Sequence, residues 1–89
     1  MDEISYMGAF LRDDLPIVDL HGIRLLKSAE ELLEKELFLF SSRGEDACRV
    51  IHGIGTGRMK NMVHAVLKKN PVVEDFRMSE DGGSTIALF

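Results

Sequence analysis

The sequence has no tryptophan, one cysteine and two prolines in 89 residues, and no apolar run near the roughly 18 residues a membrane span requires. The N-terminus, Met1-Asp2-Glu3, is acidic where a secretory signal is basic, and Ser5 and Gly8 break up the early hydrophobics. Neither a membrane span nor a signal peptide is expected. The lone Cys48 cannot close an internal disulfide, so a reducing cytoplasm is the expected compartment. Its setting, Ala47-Cys48-Arg49-Val50-Ile51, reads as a core position rather than a reactive thiol. The three histidines and this cysteine lack short ligand spacings, which argues against zinc. Also missing is an excess of positive charge. The formal net charge is −4, against a strongly basic nucleic-acid binder.

The distribution of charge says more than its sum. Residues 47–73 hold Arg49, Arg58, Lys60, Lys68 and Lys69 with no Asp or Glu, whereas residues 1–46 carry 11 acidic and 5 basic side chains. Phosphate binding follows the local field, so a basic segment inside an acidic chain is a candidate anion site, with a solvated helix face as the plainer alternative.

A chain this short, 45% hydrophobic and 29% charged, fits one small domain. Residues 15–89 are read as that domain, and residues 1–14 as an irregular or helical leader packed onto it, or a linker from a larger chain. Leu15-Pro16-Ile17-Val18-Asp19-Leu20 suits a strand opened by proline. Leu25, Leu26, Ala29, Leu32, Leu33, Leu37 and Phe40 then recur at helical steps, with Gly44 placed to cap the helix. A second strand, Ala47–His52, runs into Gly53-Ile54-Gly55-Thr56-Gly57. A second helix starts near Arg58 and closes at Asn70-Pro71, because proline disfavours a helical residue before it. Val72, Val73, Phe76 and Met78 form a third strand with a bulge near Glu74-Asp75; after the Asp81-Gly82-Gly83 turn, Ser84–Phe89 form the last. The order βαβαββ predicts an α/β two-layer sandwich: a four-stranded mixed sheet, parallel at its first two strands, with two helices packed on it.

Ligands of open α/β sheets gather at the carboxyl ends of parallel strands. Strand one ends in Asp19-Leu20-His21-Gly22 and strand two in His52–Gly57. Histidine titrates near neutrality and suits acid–base work on phosphodiesters. Asp19 and His21 share one side of an extended strand, so Asp19 could orient His21 or hold a divalent metal, though nothing in the sequence requires a cofactor. His52 either shares the chemistry or shapes its loop, and His64 reads as structural or solvent-facing. Gly53, Gly55 and Gly57 let backbone approach a phosphate. Arg58 and Lys60 add charge at a helix start, and Thr56 either caps that helix or turns its hydroxyl to the ligand. The loop is neither a Walker A motif nor a dinucleotide fingerprint, since Arg58 and Lys60 stand where the latter needs glycine.

Val18-Asp19-Leu20-His21-Gly22, His52-Gly53-Ile54-Gly55-Thr56-Gly57-Arg58-Met59, and Pro71, Val72, Val73, Gly82, Gly83 and Thr85 occur in the order typical of the Smr (small MutS-related) family. Residues 15–89 resemble that family. The turn at Asp81–Thr85 looks shorter than the family's usual one, and Met59 stands for a common leucine. The resemblance implies a fold similar to the C-terminal domain of translation initiation factor three. It also implies an endonuclease or binding domain for nucleic acid, RNA being favoured over DNA, with the ribosome a further candidate partner. Cleavage is carried by analogy onto Asp19 and His21, and substrate binding onto Gly53–Gly57. Two other readings stay open: a non-catalytic nucleic-acid or ribosome-binding module, and a protein-interaction domain exposing Glu30, Glu31 and Glu34.

Overall fold

Seven elements are laid out along the chain: α1 (Glu3–Leu11), β1 (Ile17–Asp19), α2 (Leu26–Ser42), β2 (Ala47–Ile51), α3 (Arg58–Lys69), β3 (Asp75–Met78) and β4 (Ser84–Leu88). They come from a computed structural model that describes residues 3–89. The sheet runs β1-β2-β4-β3. β1 pairs parallel with β2, aligning Val18 with Val50 and Asp19 with Ile51. β4 lies antiparallel between β2 and β3, so all five of its residues are buried. The expected α/β mixed sheet is present, with the last two strands paired.

Its boundaries follow local chemistry. β1 is shorter than the expected 15–20, yet its ladder extends at both ends: Arg49 N–H donates to the Pro16 carbonyl and Leu20 N–H to that of Ile51. The stripe Ala29, Leu33, Leu37 and Phe40 turns α2 onto the sheet. Leu25, expected on that stripe, is instead the N-cap and is exposed. At the other end Gly44 N–H donates to Ser41 O and Glu45 N–H to Phe40 O, the two bonds of a Schellman stop. α3 ends at Asn70, extended before Pro71, and the Asn70 carboxamide oxygen accepts from Val72 N–H. That turn holds Val72 and Val73 out of the ladder, and β3 starts only at Asp75.

Two apolar clusters cover opposite faces of the sheet. Val18, Leu20, Cys48, Val50 and Ala87 face α2 and α3. Ala47, Ile86 and Leu88 instead meet Tyr6 and Ala9 of α1, together with Leu15. Helix α1 thus adds a partial layer to the two that α2, α3 and the sheet form. The Arg12 guanidinium, just beyond α1, bridges Asp14 and Asp46, and the Arg77 guanidinium lies 4.3 Å from the Tyr6 ring centroid. Burial pushes the Cys48 thiol up to about 12, so it stays protonated and inert. Among the described residues no helix is long and apolar enough to cross a membrane.

Leu33 is fully buried between the sheet and the helices. Leu33→Ala is expected to cost about 2–5 kcal/mol, enough to unfold much of so small a domain. Phe38→Ala, at a side chain 66% exposed, is expected to stay within about 0.5 kcal/mol of the parent in urea melts.

Candidate functional site

The parallel register brings the two strand ends side by side. Leu20 turns into the core, so Asp19 and His21 emerge together on the outer side of the strand end. Across from them the chain leaves β2 through His52 and Gly53. Gly53 has φ +78, and a Cβ there would lie 3.3 Å from the Cβ of His21. Both the backbone angle and the close approach demand glycine. Beneath this junction the β3–β4 turn supplies one acceptor for two donors: His52 N–H and Gly53 N–H both donate to the Gly83 carbonyl, at 3.1 and 2.9 Å.

Asp19 Oδ1 lies 2.5 Å from His21 Nδ1 and also accepts from the His21 backbone N–H at 3.2 Å. These bonds, the imidazole first, hold the Asp19 carboxyl below its usual 3.8. A carboxylate can only accept, so His21 Nδ1 carries the proton of this contact. Nε2 is then the nitrogen left for a ligand in the neutral ring. The His21 side chain is 63% exposed.

His52 is built differently. It is only 4% exposed, and both ring nitrogens have internal partners: Nδ1 lies 2.9 Å from the Gly53 carbonyl and Nε2 2.9 Å from Thr85 Oγ1. The same hydroxyl meets Nε2 of His64 at 2.9 Å, and the two rings stand edge to face with centroids 5.9 Å apart. Burial, then the neighbouring His52 and Lys60, holds His64 below the usual 6.5. His64, read from the sequence as structural or solvent-facing, is half-buried against Phe76 and joined to His52 through Thr85.

The cleft between the strand ends has a volume of about 280 Å³. It is lined by His21 and His52, by the whole Gly53–Gly57 loop with Thr56, and by Arg58, Lys60 and Arg24. A larger cleft of about 560 Å³, lined by α1 and the β3–β4 turn, includes none of these side chains. Arg24 was absent from the sequence-derived set; its only signal was a place three residues after His21. Among the described residues Arg24, Arg58 and Lys60 have no ion-pair partner. Gly57, left-handed at φ +86, is the N-cap of α3, which has no acidic residue in its first turn. Thr56 Oγ1 accepts a long 3.4 Å bond from Arg58 N–H, one residue before the cap position. The basic segment divides in two: Lys68 and Lys69 sit in the last turn of α3, where they complement its dipole. At 1.5 Å per residue they are about 15 Å from Arg58. Arg49 turns to Ser84 Oγ, at 3.1 Å.

Two measurements check this geometry. Gly53→Ala is expected to destabilise the fold by about 1–2 kcal/mol and shift the His21 ring resonances, while Gly22→Ala, with open space around it, leaves both nearly unchanged. The second follows from the lowered Asp19 pKa. The Asp19–His21 contact stabilises the fold above the pKa of the unfolded chain and is lost as pH falls through the lower folded value. In a ¹³C titration Asp19 is expected to protonate below 3.8 and to move up toward that value in His21→Ala.

Comparison with known proteins places this arrangement. Residues 18–88 match the Smr domain. The chain is 37% identical over 75 residues to endonuclease MutS2 of Halothermothrix orenii, covering 82% of this chain and 9% of that protein. It is 39% identical over 72 residues to endonuclease MutS2 of Solidesulfovibrio magneticus, covering 75% and 9%. The chain thus spans about a tenth of the length of these relatives. The crystal structure of the Smr domain of Thermus thermophilus MutS2 superposes with a TM-score of 0.77 at 26% identity, covering 83% of this chain and 96% of that one. Family match, relatives and fold agree: the chain belongs to the Smr domain family.

Proposed function

We propose that this domain cleaves nucleic acid at the cleft between the two strand ends, and that its substrate is RNA. The observation that carries this reading is an oriented, exposed His21–Asp19 pair on a cleft whose cations Arg24, Arg58 and Lys60 have no carboxylate partner among the described residues. Relatives named endonuclease MutS2 support the activity class.

In this reading the loop amides, the N-terminus of α3 and the three cations hold a phosphate and stabilise charge gathering on its oxygens. His21 Nε2 takes the proton of a ribose 2′-hydroxyl, and the 2′-oxygen attacks the adjacent phosphorus. The 5′-oxygen leaves and takes a proton from water, giving a cyclic phosphate and a 5′-hydroxyl, and the protonated His21 returns its proton to the hydroxide left behind. Asp19 holds the ring and stabilises its cationic form. RNA is favoured because it carries its own nucleophile. A divalent cation usually takes several oxygen ligands. Asp19 Oδ1 is already engaged by His21, and no group of three or more His, Cys, Asp or Glu placed to hold a metal ion occurs among the described residues. No step is therefore routed through a metal. His52 is assigned to loop support and not to proton transfer, because neither of its ring nitrogens is left for a substrate.

His21→Ala is expected to lower RNA cleavage by at least about 100-fold, with Asp19→Asn less severe. Chelator should leave the rate unchanged, and an all-deoxy oligonucleotide should be bound but not cut. Arg58→Ala is expected to weaken binding and reduce the slope of log affinity against log salt by roughly 0.7–0.9. Cleavage that survives in His21→Ala overturns the assignment, and salt-sensitive binding without product turns it to a non-catalytic module. Comparing free RNA with ribosome-bound mRNA decides whether the ribosome is a partner.

A further inference from the structure

Of the cluster His52–Thr85–His64 only His52 lines the cleft, and the chemistry above moves no proton through it. Its hydrogen-bond polarity follows from its acceptors. The Gly53 carbonyl, 2.9 Å from His52 Nδ1, only accepts, so Nδ1 bears a proton. Nε2 of the neutral ring is then bare, and the one group within reach is the Thr85 hydroxyl, which must donate to it. That uses the single hydroxyl proton. His64 Nε2, at 2.9 Å from the same oxygen, must therefore donate. A continuous chain results: His64 Nε2–H to Thr85 Oγ1–H to His52 Nε2, with His52 Nδ1–H to the Gly53 carbonyl. The reverse polarity would set a bare Nδ1 lone pair against a carbonyl oxygen.

This chain ends on the peptide that opens the phosphate loop. In a trans peptide the C=O and the next N–H point in opposite directions. Holding the Gly53 carbonyl toward the buried imidazole turns the Ile54 N–H away from it, and that N–H donates no hydrogen bond among the described residues. Gly53 N–H is tied separately to the Gly83 carbonyl. The loop's first peptides are thus fixed from two directions.

We infer that Thr85 is a positioning residue for phosphate binding: its hydroxyl, oriented by His64, locks the His52 tautomer that holds the Gly53–Ile54 peptide in its anion-binding orientation. The inference rests on the nucleic-acid reading of the cleft. A purely structural threonine would behave otherwise. Valine has the same shape and suits a buried strand, so Thr85→Val would then leave the site unaltered.

The test uses the 89-residue chain, with long-range ¹H–¹⁵N NMR of the imidazoles and binding of a labelled single-stranded RNA at fixed salt. The wild type is expected to show His52 as the Nδ1–H tautomer and His64 as Nε2–H. Thr85→Val should scramble the His52 tautomer, shift the Ile54 amide and weaken RNA binding about tenfold. Thr85→Ser, which keeps the hydroxyl, should stay within about threefold. An Nε2–H tautomer of His52 in the wild type overturns the inference, as does Thr85→Val that keeps both tautomer and affinity. The wild-type tautomers decide the point even if Thr85→Val fails to fold. If the wild type binds no RNA, the nucleic-acid reading falls, and the relay is judged on the tautomers and the Ile54 amide.

Discussion

The parallel pairing of β1 with β2 is the constraint on which the site depends. Aligning Asp19 with Ile51 ends both strands at the same level, and the following residues meet at one edge. The contact is close enough that a side chain at Gly53 would press on His21. A one-residue slip would turn Val18 and Leu20 out to solvent and Asp19 inward. The apolar packing of Val18, Leu20, Cys48 and Val50 therefore fixes the position of Asp19 and His21 as firmly as it fixes the fold.

Two histidines at that edge have opposite environments, and environment assigns their work. His21 is exposed, held by a carboxylate at one nitrogen and open at the other. His52 is buried, with both nitrogens bonded inside the domain. An imidazole needs one free nitrogen to exchange a proton with a substrate, so one residue type serves as a reactive group in one place and a strut in the other. The strut depends on β4, the most buried strand, whose Thr85 supplies the hydroxyl between His52 and His64.

Electrostatics is organised on the same local scale. The chain is acidic overall, yet the cleft gathers Arg24, Arg58 and Lys60 without a carboxylate partner among the described residues. The remaining basic residues of the segment 47–73 have other tasks: Arg49 bonds Ser84, and Lys68 and Lys69 close α3. A run of charge along the sequence is thus partly a property of helix ends, and only Arg58 and Lys60 of this segment belong to the cleft.

Apolar periodicity and punctuation by glycine and proline made α2, α3, β2 and β4 legible to within a residue or two, because those signals act over short stretches of chain. The strand-end motifs likewise marked Asp19, His21 and the Gly53–Gly57 loop, since alternation along a strand and the backbone freedom of glycine are local properties. A helical leader packed on the domain was one of two readings of residues 1–14, but the face it covers was not legible. Tyr6 and Ala9 are too sparse to announce a buried face, which exists only because Ala47, Ile86 and Leu88 present the other half of it. Nor was the place of Arg24 in the cleft, or the link from His64 through Thr85 to His52. Those contacts join residues 21 and 33 positions apart, brought together when β4 inserts beside β2 with α3 packed above. Sequence alone determined which residues could do chemistry and which elements would carry them. Tertiary structure decided that His52 keeps neither ring nitrogen free, because its Thr85 partner is supplied only by long-range packing.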